Sequence, residues 1–146
     1  MDVTNAPSIA RAAANIQDGA IDVLFNSAGI NGKPGQTTGN VDYISWAQVL
    51  DVNTMGPLRV TEALVDHIAR SKRKLVVTIT SGMGSLADNT WDGSNAYRSS
   101  KAAENMVIRS AAIDLAPRGI SCVLVNPGWA RTEWVAPPPL SRPRRA

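Results

Sequence analysis

Cysteine is nearly missing from this chain: Cys122 is the only one in 146 residues, so no disulfide framework can hold the fold. It lies in the apolar run ISCVLV and reads as a small buried core residue. Histidine is equally scarce. The single His67 has no partner at metal-ligand spacing and no serine motif nearby, so it reads as a surface residue and no metal site is expected. No apolar run approaches the roughly 18 residues of a membrane span, which removes a membrane partner. The opening MDVTNAPSIA lacks the basic and apolar regions of a signal peptide, and a cytoplasmic location is expected. Basic charge is confined as well. The formal net charge is +3, and the tail PPPLSRPRRA (137–146) contributes Arg142, Arg144 and Arg145 with no acid. Outside it, RSKRK (70–74) is the only basic cluster, and it sits between a helix and a strand, so no nucleic-acid partner is expected. The Pro/Arg-rich tail reads as a solvated, disordered end, leaving residues 1–136 as one domain.

What is present is ordinary globular material, 44% hydrophobic and 18% charged. PSIARAAANI predicts a short helix, and IDVLF a strand that is apolar throughout. Residues 42–70 carry helical periodicity that breaks near NTMGP. KLVVTIT predicts a second apolar strand, 96–117 a long helix ended at PRG with Gly119 as C-cap, and ISCVLV a third strand. Strands apolar on both faces and separated by helices predict a parallel sheet covered on both sides.

In such sheets ligands bind beyond the carboxyl ends of the strands. Each predicted strand ends in small polar residues and glycine: NSAG (26–29), TSGMGS (80–85) and NPGWART (126–132). Small residues there let a flat ligand approach the backbone. The long helix opens beside these ends with AYRSSKAAEN, where Tyr97 and Lys101 stand four apart and share a face. A cation beside a phenol favours the phenolate and draws its pKa down from about 10 towards the range of an acid/base catalyst. Alone, such a pair more often marks a solvent face.

Together these segments resemble the short-chain dehydrogenase/reductase family, specifically its C-factor-like carbonyl reductase branch. NSAG is similar to the Asn-Asn-Ala-Gly after the family's fourth strand, with Ser27 in place of the second Asn. VNTMGPLRVTEAL resembles the helix with the catalytic Asn, TSGMGS the end of the fifth strand, YRSSK the Tyr-x-x-x-Lys signature, and NPGWART the Pro-Gly turn after the sixth. DVTN resembles the end of the third strand. The segments run in family order along nearly the whole chain.

The resemblance implies a Rossmann-like α/β fold with a doubly wound parallel sheet, and hydride transfer between NADP or NAD (NADP slightly favoured) and a small-molecule carbonyl or alcohol. It makes Tyr97 the proton donor in reduction. Lys101 would lower the phenol's pKa and hold the nicotinamide ribose, and Ser81 would polarise the substrate carbonyl, with Ser85 as the second candidate. Asn53 would relay protons through water. Its own residues allow this, because Pro57 offers no N–H to the carbonyl four residues back; a helix-capping Asn remains the alternative. On the cofactor side it implies adenine contacts at Asp2 and Val3, and a ribose side at Asn26, Ala28 and Gly29. Pro127, Gly128, Ala130 and Thr132 would meet the nicotinamide and phosphate. Asn26 can also tie neighbouring strands, and both roles can hold together; for Thr132 the alternative to the ligand contact is a helix cap.

Set against the family pattern, these 146 residues hold no G-x-x-x-G-x-G turn, the element that carries a pyrophosphate at a helix N-terminus. The first two strands of the pattern, most of the third, and the last strand are also missing, so a partial domain is expected. Its first predicted strand would then be an exposed edge prone to association. The alternative to an enzyme is a catalytically inactive piece acting through protein contacts. Self-association through helices 42–70 and 96–117 is a further expectation. The stripe Ala103, Val107, Ala111, Leu115 reads as core or helix-interface packing, and Glu104 stands where relatives often have an apolar residue.

Overall fold

A computed structural model describes residues 1–128. Helix α1 (Ala6–Ala14) starts where Asn5 caps it by accepting from Ser8 N–H at 2.8 Å, with Pro7 in the first turn. Strand β1 (Val23–Asn26) follows. Asp42 caps helix α2 (Tyr43–Leu50) through Ser45 N–H at 2.9 Å. Next comes a π-helical turn (Asp51–Met55), in which Gly56 N–H reaches back to the Asp51 carbonyl, and then helix α3 (Gly56–Ala69). The break expected near NTMGP is therefore a widened turn inside one continuous rod. Pro57 accounts for it, since it cannot donate to an ordinary helical ladder.

Strand β2 (Leu75–Ile79) ends in a short 3-10 turn, Gly82–Gly84. Helix α4 (Asn95–Leu115) tightens into a second 3-10 turn, Ala116–Arg118, and Gly119 closes it at φ 73° with its N–H on the Ala116 carbonyl. Strand β3 (Ser121–Val125) completes a three-stranded parallel sheet in the order β1-β2-β3. Among the described residues no helix is long and apolar enough to cross a membrane.

Both crossovers step the same way across the sheet, so right-handed connections set α3 and α4 on one face. There Ile9, Val60, Leu64, Ile68 and Val76 form the core with Ile120, and Leu24, Leu115 and Cys122 pack against it. Cys122 is thus half-buried, not fully buried. The register groups Val23, Phe25, Val77, Val123 and Val125 on the opposite face. Phe25 is 57% exposed there and Val123 40%. The predicted cover on both faces is therefore found on one face only among the described residues. The burial of α4 also differs from the predicted stripe. Ala96, Ser100, Lys101, Glu104, Ile108 and Ala111 face inward, while Ala103 and Val107 lie half-buried at the margin.

Candidate active site at the strand ends

Asn53 stands in the π-helical turn and is fully buried, at 0% exposure. Its amide donates to the Ile30 carbonyl at 2.8 Å and to Ser100 Oγ at 3.0 Å, while its Oδ1 accepts from Ile30 N–H at 2.8 Å. Three segments meet in that side chain: the loop after β1, the π-turn and α4. Ser100 Oγ in turn donates to the Tyr97 carbonyl at 2.8 Å, and Thr54 Oγ1 donates to the Ser100 carbonyl at 3.0 Å. Ser100 lies inside YRSSK, yet the sequence reading passes over it. A small hydroxyl one position before the lysine is its only signal.

Ser81, at the carboxyl end of β2, caps the 3-10 turn by accepting from Met83 N–H at 3.2 Å. It also lies near enough to the Tyr97 phenol to draw its pKa down. Ser85 is occupied elsewhere: its Oγ donates to Asp88 at 2.9 Å and accepts from Asp88 N–H at 3.2 Å, a turn-capping arrangement. Gly84 brings the turn against α4. A Cβ there would meet the Lys101 carbonyl carbon at 2.9 Å, so the approach requires glycine.

Lys101 is buried. Its ammonium donates to the Ile79 carbonyl at 2.8 Å and pairs with Glu104 at 2.8 Å, and it sits 6.0 Å from the Tyr97 ring centre. Glu104, with its side chain 1% exposed, is the residue that sequence reasoning placed least well. The i, i+3 step to Lys101 is the signal for it. Burial is the main cause that pushes the Tyr97 phenol above its ordinary value. Ser81 pulls it down and Glu104 pushes it further up. This is opposite to the depression expected from Lys101, because burial dominates, and that cation is itself paired with Glu104. Burial also raises the Glu104 carboxyl, against the pull of Lys101.

The remaining predicted positions divide. Gly29 borders the site: a Cβ on it would lie 3.5 Å from Asn53 Oδ1 and 4.0 Å from Lys101 Nζ. Ala28 beside it is exposed. Asn26 is buried and donates to Thr61 at 3.2 Å and Thr78 at 3.4 Å, so its side chain ties β1 to β2 and α3. Asp2 is exposed and accepts from Thr4 N–H at 2.9 Å. Its carboxyl is held low first by that bond and then by the Thr4 hydroxyl. Val3 packs on the core beside Gly56. Pro127 and Gly128 are exposed at the end of β3, where Asn126 Oδ1 accepts from Gly128 N–H at 3.1 Å. Ala130 and Thr132, like the tail 137–146, lie outside the described residues. His67 is half-buried near the far end of α3, with Nδ1 2.9 Å from the Gly19 carbonyl.

The fold has close counterparts. Residues 1–139 match the family model for short chain dehydrogenase. C-signal of Myxococcus xanthus is 45% identical over 125 residues, covering 86% of this chain and 75% of that protein. Among solved structures, the carbonyl reductase Sniffer of D. melanogaster superposes with a TM-score of 0.83 at 30% identity, covering 91% of this chain and 59% of the other. A carbonyl reductase from Pseudomonas aeruginosa PAO1 in complex with NADP superposes at 0.77 with 32% identity, over 91% of this chain and 57% of the other. The chain thus spans a little over half of those two structures. Parallel strands with flanking helices, the matched family model and a relative of this identity together make it a Rossmann-like member of the short-chain dehydrogenase family.

Proposed function

We propose that the chain carries the proton-transfer half of an NAD(P)(H)-dependent oxidoreductase that acts on the carbonyl or alcohol of a small molecule. The observation that supports it most is the meeting of Asn53, Ser81, Tyr97 and Lys101 at one edge of the sheet, held by backbone and side-chain bonds from the loop after β1, the π-turn, the end of β2 and α4. Tyr97 donates the proton to the carbonyl oxygen, or takes it in the reverse direction. Ser81, at the end of β2 next to the phenol, holds that oxygen. Lys101 and Asn53 hold the proton path and the ribose side.

A nicotinamide dinucleotide, when bound, supplies or accepts the hydride. The residues fit its ribose end: Gly29 leaves open space next to Asn53 and Lys101, and two of the three ammonium protons go to Glu104 and Ile79, leaving one for a ribose hydroxyl. NADP is favoured over NAD by the NADP-bound carbonyl reductase that this chain resembles. Residues 1–146 hold no Gly-rich turn to cradle the pyrophosphate, so these residues by themselves should bind NADPH in the millimolar range or weaker.

One observation favours a second reading, a catalytically silent domain that works through protein contacts. The apolar sheet face at Val23, Phe25, Val123 and Val125 is exposed. Exposed Ile44, Met55, Met106 and Ile113 support self-association through the two long helical segments. The deciding experiment follows NADPH oxidation with a panel of small aldehydes and ketones, alongside calorimetric titration of NADPH. Turnover that disappears in Tyr97→Phe supports the enzyme reading. Turnover that persists in that variant overturns the role of Tyr97, and no turnover once the titration shows the NADPH site filled favours the silent domain.

A further inference from the structure

Lys101 and Glu104 form an ion pair with side chains 5% and 1% exposed, at 2.8 Å. A buried carboxylate is costly unless paired and hydrogen-bonded, and nothing in helix packing requires an acid at this position. Its partner is the lysine that the proposed reaction uses. Lys101 lies 6.0 Å from the Tyr97 ring centre, and about two successive turns of the same helix carry all three groups. At such separations an opposite charge touching the ammonium removes most of the field that the ammonium casts on its neighbours.

We propose that Glu104 is a positioning residue of the site: it anchors the Lys101 ammonium against the Ile79 carbonyl and offsets the positive field of that ammonium at Tyr97. The lysine then acts fully on the phenol only when a ligand draws it off the carboxylate. Elements packed against α4 bring no competing charge. α2 has only the exposed phenol of Tyr43, stacked on Trp46. Asp51 of the π-turn is paired with Arg59 of α3 at 2.6 Å. Farther along α3, Asp66 is paired with Arg118 at 2.5 Å, His67 sits at the distant end and Glu62 is exposed. The Gly82–Gly84 turn carries no charge, and β3 offers only the half-buried thiol of Cys122. The inference rests on the proposed role of Tyr97, but its test needs neither cofactor nor substrate, so the two can fail separately.

The chain has two tyrosines, so a Tyr43→Phe background leaves Tyr97 as the sole phenol. Carbon-13 labelling of its Cζ allows the phenol to be titrated by NMR in the full 146-residue chain, with circular dichroism at each pH to confirm the fold. In Glu104→Gln the released lysine field should move the Tyr97 midpoint to lower pH; an unchanged or higher midpoint overturns the proposal. Because Glu104→Gln leaves Lys101 buried without its partner and can fail to fold, the double variant Lys101→Met/Glu104→Leu is titrated as well. Replacing a buried ion pair by apolar groups is commonly tolerated. A Tyr97 midpoint at or below that of the parent supports mutual cancellation. A midpoint above it means that Lys101 alone had governed the phenol, and Glu104 is then a bystander.

Discussion

Asn53 and Ile30 are joined by two hydrogen bonds of 2.8 Å in opposite directions, so one side-chain amide stands in for a missing strand partner of the loop after β1. Asn53→Leu should therefore cost about 3 kcal/mol, since it strands the Ile30 N–H, the Ile30 carbonyl and Ser100 Oγ in a buried place. Urea unfolding measures it, and a loss below about 1 kcal/mol would show that water replaces the amide readily.

Tyr97→Phe removes the only phenol at the site and keeps the ring. Turnover of any carbonyl that the parent reduces should fall about a hundredfold or more, the usual contribution of a positioned general acid. Stability should change by about 1 kcal/mol or less, because the half-buried hydroxyl gives up at most one weak interaction, with Ser81. Initial rates and a thermal melt of the same preparation separate the two effects.

Gly84→Ala places a methyl 2.9 Å from the Lys101 carbonyl carbon and 3.0 Å from its oxygen. Both are backbone atoms of a helix and cannot swing aside, so the turn must shift at a cost of about 2 kcal/mol. Gly82→Ala meets only Asn126 Nδ2 at 3.3 Å and should cost less. Equal losses in denaturant midpoint would contradict this account of the turn.

Alkaline stability carries a definite sign. Burial makes the folded chain hold the Tyr97 proton more tightly than the unfolded chain does. As pH rises through about 10, the unfolded chain sheds its phenol proton first, so stability declines with increasing pH. Cys122, raised by burial as well, adds to that decline from about pH 8.5 upward. Melting temperatures between about pH 8 and 11 should fall less steeply in Tyr97→Phe; parallel curves would refute the contribution.

Tyr97 and Lys101 were legible because a four-residue step on a helix is local geometry. The strand ends were legible for a similar reason: glycine and small polar residues punctuate each apolar run at NSAG, TSGMGS and NPG. The inward face of α4 was not. Its apolar residues at 103, 107, 111 and 115 outline one stripe, whereas the buried set runs through Ser100, Lys101 and Glu104. What turns the helix is the close approach of Gly84 and the bond from Lys101 to the Ile79 carbonyl, contacts made across the fold. Periodicity cannot report these. The exposure of Phe25 and Val123 was hidden for the same reason, since an apolar residue reads alike whether or not another layer covers it.

The widened turn at Asp51–Met55 acts as a phase shifter along the rod from α2 to α3. Ser45, Val49, Asn53, Pro57, Thr61, Leu64 and Ile68 are all buried, six turns that consume 23 residues (68 minus 45). Six ideal turns use about 22. The surplus residue falls at the π-turn, and it lets one side of the rod deliver Asn53 to the chemistry while the same side continues as Leu64 and Ile68 in the core. Deleting a single residue there would straighten the helix yet rotate everything beyond it by about 100°, carrying that apolar side out of the sheet's grasp. The helix can keep both its core contacts and its asparagine only by remaining out of step with itself.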